Sequence, residues 1–189
     1  MKMRAANLLP LLLVLLLAGL TLWLRIAVDT PTGGSDRHRH DPDAIVEGFT
    51  VTRLNEQGTA QYSLAASRMI HYADDNSTEL AAPQLVRRGD GPAITITSER
   101  GTLTRDGEEA FFHDNVLVVR EATPGHHELR VRTDYLHLLA EAGVARTHLP
   151  VTITEGRSVL SGVGMEFNKE SRRFALLSQV RGNYAQTSK

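Results

Sequence analysis

The chain has 189 residues, 21 Lys and Arg against 22 Asp and Glu, a net charge of −1 and no cysteine. Near-neutral charge excludes a nucleic-acid binder built on a basic surface, and the lack of cysteine excludes disulfides and thiolate metal sites. Setting aside one membrane-length segment leaves about 160 residues, enough for a single domain with a sizeable core.

That segment comes first. Between Arg4 and Arg25 lie the twenty residues Ala5 to Leu24, uncharged and dominated by leucine, which as a helix span about 30 Å, one bilayer. A cleaved signal has an apolar core of roughly 7–15 residues followed by a small-x-small site; this core is longer, and Val28 with Thr30 is a poor pair for cleavage. The run therefore predicts a retained membrane helix within residues 1–28. Lys2 and Arg4 put the N-terminal stub in the cytoplasm and the rest of the chain on the far side. Pro10 is tolerated near the helix start, where a missing N–H costs least.

Residues 29–44, "DTPTGGSDRHRHDPDA", have no apolar period and read as a flexible linker. The cluster Arg37-His38-Arg39-His40-Asp41 is a poor metal site, because arginines repel a cation and a linker cannot preorganise ligands.

From Ile45 the pattern is alternation with period two, broken by turn residues every eight to twelve positions, which predicts an all-β domain over 45–185 and a polar tail over 186–189. In "QYSLAASRMIHYADDNS" a strict alternation would put Tyr62, Leu64, Ala66, Ile70 and Tyr72 on one face, with Asp74 to Ser77 as the turn. In "ELRVRTDYLHLL" it opposes Leu129, Val131, Thr133 and Tyr135 to Arg130, Arg132 and Asp134.

A repeat underlies these strands. Four segments each place a small residue (Ala66, Ser98, Thr133, Gly162), a strand, a polar turn and a second strand, whose aliphatic position (Leu85, Val116, Val151, Val180) follows 19, 18, 18 and 18 residues later. The regular spacing predicts stacked antiparallel hairpins, and such a stack has open edges.

No catalytic signature is present: the chain lacks G-x-S-x-G, H-E-x-x-H and a phosphate-cradling glycine loop. His126-His127 follow Pro124-Gly125 and read as turn residues, as do Asp74-Asp75 and Asp106-Gly107. Asn76-Ser77-Thr78 matches a glycosylation acceptor but falls in a turn. The chain reads as a non-enzyme without cofactor or metal.

The order of membrane helix, linker and repeated hairpins, with the Gly58-x-x-x-Tyr62 hairpin entry, Tyr72 closing its strand and a final Val180-Arg181-Gly182-x-Tyr184, resembles the LptC family of lipopolysaccharide export proteins over essentially the whole chain. The resemblance implies a single-pass inner-membrane protein with a periplasmic β-jellyroll. It further implies that the jellyroll receives lipopolysaccharide from an inner-membrane ABC transporter and passes it to a periplasmic bridge protein of the same fold, with the membrane helix lying against the transporter. The family's glycine in the third repeat's returning strand is not matched: "HLPVTITEGRSV" has Pro150 before that strand and Gly156 after it.

Acyl chains need an apolar trough, worth about 0.8 kcal/mol per buried CH₂. Candidates for its lining are Phe49, Tyr62, Leu64, Tyr72, Phe112, Leu117, Val119, Leu129, Val131, Tyr135, Phe167, Phe174 and Tyr184. The last strand, Ser178-Gln179-Val180-Arg181-Gly182-Asn183-Tyr184, precedes a tail too short and polar to cover it, so it is expected to be an edge that docks the bridge protein, while the N-terminal edge and the membrane helix face the transporter. A β-scaffold that bridges envelope proteins without carrying lipid has the same alternating pattern.

Overall fold

The computed structural model describes residues 8–28, 40–89, 91–104, 107–171 and 173–183, with side chains of the helix described over 13–25. The stub before Leu8 that was expected in the cytoplasm, the linker over 29–39, Asp106, Tyr184 and the tail lie outside the described residues. Two compact units result, one ending at Arg39 and the other beginning at His40.

The first unit holds α1 (Leu8–Val28), 21 residues with leucine predominating, about 31 Å of helix. Pro10 falls in its first turn, where its missing N–H breaks no helical bond. Among the described residues no helix is long and apolar enough to cross a membrane.

The second unit is all strand: β1 (Pro42–Leu54), β2 (Ala60–Tyr72), β3 (Ser77–Ala81), β4 (Gln84–Arg87), β5 (Ile94–Thr97), β6 (Arg100–Leu103), β7 (Glu109–Arg120), β8 (Leu129–Leu139), β9 (Val144–Glu155), β10 (Ser158–Asn168) and β11 (Arg173–Asn183). All pairings are antiparallel. β3 and β4 both pair with β2, and β5 and β6 both pair with β7, so each couple is one strand length interrupted once. The interruptions face each other: Ala82 donates its N–H to the Glu99 carbonyl at 2.8 Å, and Pro83, which has no N–H to offer a ladder, is buried beside them. The result is one meander running from β1 to β11, an antiparallel sheet consistent with a jellyroll of stacked hairpins. β1 begins at Pro42, three residues earlier than the alternation starting at Ile45 indicates.

The strands do not run straight. Positive φ occurs at mid-strand positions Gly48, Asp114, Asn115, Gly164 and Gln179 and at Ala82 in the break between β3 and β4, and pairing register shifts between His113 and Val116, Arg132 and His137, and Val163 and Met165. Bulges bend a strand, and these fall in line across successive strands, so the sheet folds along its middle. The core accordingly draws on both halves: Ile96, Val131 and Ile153 from one join Phe112, Leu136 and Met165 from the other. The small residues of the repeat mark this fold line. Ala66, Thr133 and Gly162 are buried there, and a Cβ on Gly162 would come within 3.2 Å of the Ser178 carbonyl.

Candidate functional site: the inner apolar face and its edges

Cross-strand partners share a face, so the register itself maps the interior. In one half of the folded sheet Val51 pairs with Leu64, Leu64 with Leu85, Leu85 with Ile96, and Ile96 with Val118. The row goes on through Val131, Ile153 and Leu160. It is apolar throughout, fully buried at Ile96, Val131 and Ile153, and open at the β1 end, where Val51 is 59% exposed. In the other half Leu80, Gly101, Phe112 and Leu136 form the matching row, all buried. Gly101 is needed there because a Cβ would meet Pro83 Cγ at 3.0 Å.

Of the residues expected to line the interior, Phe49, Tyr62, Leu64, Phe112, Leu129, Val131, Phe167 and Phe174 occupy inner rows. Phe112 and Val131 are packed core, whereas Phe167 and Phe174 pair with each other at an exposed end of β10 and β11. Four others need correction. Leu117 and Val119 pair with Arg132 and Arg130 on the outer face, and it is Val116 and Val118 that point inward. Tyr72 is also outside: Met69 pairs with the buried Leu80, so the bend after Ala66 reverses the parity of β2 and carries Ile70 and Tyr72 outward. Tyr135 is outside for the same reason. β8 turns inward again at Leu136, leaving Tyr135 tilted against His113 and His148 at ring distances of 5.2 and 5.0 Å. Tyr184 lies outside the described residues.

Among the described residues both terminal strands pair on one side only, β1 with β2 and β11 with β10. Of the expected docking strand, residues 178–183 are exposed, and Leu177 and Val180 are 63% and 53% exposed. Gln179 has φ 50 and Ser178 Oγ donates to the Val163 carbonyl at 3.1 Å, so β11 bulges away from straight pairing at this point. On β1, Ile45, Val46, Val51 and Leu54 are exposed as well.

Alternation did not reveal the polar cluster on the outer face. His137, almost fully buried, donates from Nε2 to Glu109 at 2.6 Å, accepts at Nδ1 from Arg146 Nε at 3.0 Å and stacks on Phe111 at 4.4 Å. An arginine can only donate, so Nδ1 carries no proton and Nε2 does. A cleft of about 340 Å³ adjoins it, lined by Tyr135, Arg146, His148, Glu166 and Leu177 among others. With each polar partner already engaged, this cluster ties β7, β8 and β9 together. Where the linker enters the sheet, His40 stacks on Tyr72 at 3.7 Å and bonds Asp74 at 3.0 Å. The Asp74 carboxylate raises the His40 pKa, and Ser77 lowers that of Asp75. Potential ligand atoms of His40, Asp74 and Asp75 lie within 4.8 Å, all on exposed residues. His126 forms a tight bridge with Thr123 in the turn between β7 and β8.

The described residues form a folded antiparallel meander of β-hairpins with an apolar interior and two edges unpaired among them. The chain belongs to the LptC-related lipopolysaccharide-assembly family, whose model matches residues 11–185. That membership places it in lipopolysaccharide transport, as a transport component. No curated protein matches the chain.

Proposed function

We propose that this protein is a membrane-anchored carrier that accepts lipopolysaccharide from an inner-membrane ABC transporter and passes it to a periplasmic bridge protein of the same fold. The observation that carries this reading is the unbroken apolar row from Val51 to Leu160. It runs across the inner face from the β1 edge to β10, where Leu160 pairs with Gly182 of the β11 edge, and stays open at β1, so acyl chains can enter from one edge and leave towards the other. Family membership supplies the cargo class. In this reading α1, over its full 21 residues, anchors the chain in the inner membrane with the stub in the cytoplasm and the sheet in the periplasm. β1 and α1 face the transporter, and residues 178–184 of β11 continue the sheet into the bridge protein by edge pairing.

The packed centre at Phe112, Val116, Leu136 and Val151 favours a second reading, a scaffold that bridges the partners without admitting lipid. A photo-crosslinking residue at Leu64 or Leu160, both on the inner row, should give adducts to lipopolysaccharide, and one at Ser63 or Thr95, on the outer face, should not. Equal yields from both sets, or adducts only to protein, would leave the scaffold as the function.

A further inference from the structure

One register step beyond the apolar row, towards the strand ends that carry the turns at 55–59 and 88–93, the inner face changes chemistry. Arg53 pairs with Tyr62, Tyr62 with Arg87, Arg87 with Ile94, and Ile94 with Arg120. The same row reaches Glu155 through Leu129. Each arginine stands two residues along its strand from an inner apolar residue, Val51, Leu85 or Val118, so alternation sets all three on the inner face. Successive arginines are two strands apart, about 10 Å.

Three guanidinium groups thus border an apolar surface with one carboxylate among them. Arg120 Nη2 donates to Glu155 at 3.0 Å; among the described residues Arg53 and Arg87 have no carboxylate partner. Arg87 and Arg120 are half-buried; at Arg87, without a carboxylate among the described residues, an uncompensated cation is costly, and the planar fork of arginine suits a phosphate.

We propose that Arg53, Arg87 and Arg120 form an anion-binding rim that takes the phosphate groups of a glycolipid whose acyl chains lie on the apolar row beside it, one phosphate displacing Glu155 from Arg120. The inference rests on the carrier reading and adds to it which end of the interior holds the headgroup. The acyl chains alone would lie in either direction along the strands; the rim selects one.

The test measures binding of two probes to the full chain in nanodiscs: bisphosphorylated lipid A, and the same glycolipid with both phosphates removed. The variant Arg53→Gln, Arg87→Gln, Arg120→Gln should lose about tenfold or more in affinity for the first, as expected for charge-assisted contacts, and nothing for the second. Raising the salt should erode the same difference in the unmodified protein. Glu155→Gln, which removes the competing carboxylate, should bind the phosphorylated lipid more tightly; arginines that only cover apolar surface with their stems would not produce that gain. Should the triple variant fold poorly, Arg53→Gln alone, at an exposed position, should still weaken the phosphorylated probe selectively. If the variants hold both lipids as the unmodified protein does, the rim is overturned and the carrier stands. If the unmodified protein binds neither lipid, the carrier reading itself fails.

Discussion

Val131 stands between Arg130 and Arg132 and Thr95 between Ile94 and Ile96, and the register puts the first against Ile153 in the core and the second on the solvent side. An arginine at Val131 buries a charge without a partner, at a cost of several kcal/mol; at Leu64, half-buried near the open edge, the cost is smaller; at Ser63 or Thr95 it stays within about 0.5 kcal/mol. Urea unfolding of the four variants should rank them in that order, and a Thr95→Arg variant as unstable as Val131→Arg would reverse the assignment of faces. Gly164 tests the fold line at the same scale. It has φ +77, and a Cβ would stand 2.9 Å from Leu177 Cδ1, so Gly164→Ala combines backbone strain with a clash and should destabilise by about 1–3 kcal/mol. Leu177→Ala in the same chain removes the Cγ and Cδ1 contacts but keeps Cβ at 3.1 Å, so it should recover part of the clash, as a double-mutant cycle will read.

β11 shows how an element can be well formed and still incomplete. It pairs with β10 along its length, but its other side meets no strand among the described residues. Natural edges are blunted by charge, proline or bulges; here the bulge at Gln179 and the side chain of Arg181 do that, while Leu177 and Val180 stay exposed. If residues 178–184 dock the bridge protein, proline at Val180 or Arg181, or truncation after Leu177, should weaken that complex and spare the one with the transporter. Pull-down with each partner separates the two. Undiminished capture of the bridge protein would move the exit to another edge, around Phe49 to Leu54 of β1.

The whole molecule joins an apolar helix to an all-β unit. If α1 is the anchor, residues 5–24 remain in the mature protein, and intact-mass measurement of protein purified from membranes should give the uncleaved chain, with or without its first methionine. A mature N-terminus near Asp29 or later would identify the run as a signal and detach the β unit from the membrane.

Much of this was legible in the residues themselves. Leucine density and length marked the helix, because helix rise and apolar transfer are local properties. Turn residues and β-branched runs marked the strands, and the spacing from Ala66 to Leu85 and from Gly162 to Val180 marked the hairpin repeat, because each hairpin closes over a short stretch of chain. Facing was legible only as far as the first bend. Tyr62 and Leu64 lie inside as alternation requires, but past Ala66 the strand turns and Tyr72 lies outside; in β8 the same happens between Thr133 and Leu136. Leu117 and Val119 failed for another reason: the run Val116 to Val119 is apolar at every position, so alternation has no phase there, and only pairing with Val131 makes Val118 the inner residue. The arginine rim was equally hidden, since Arg53, Arg87 and Arg120 are far apart in the chain and share a face through cross-strand register alone. Local chemistry decides which segments become strands. Which side of a strand meets the interior is decided by bends and neighbours that exist only once the sheet has formed.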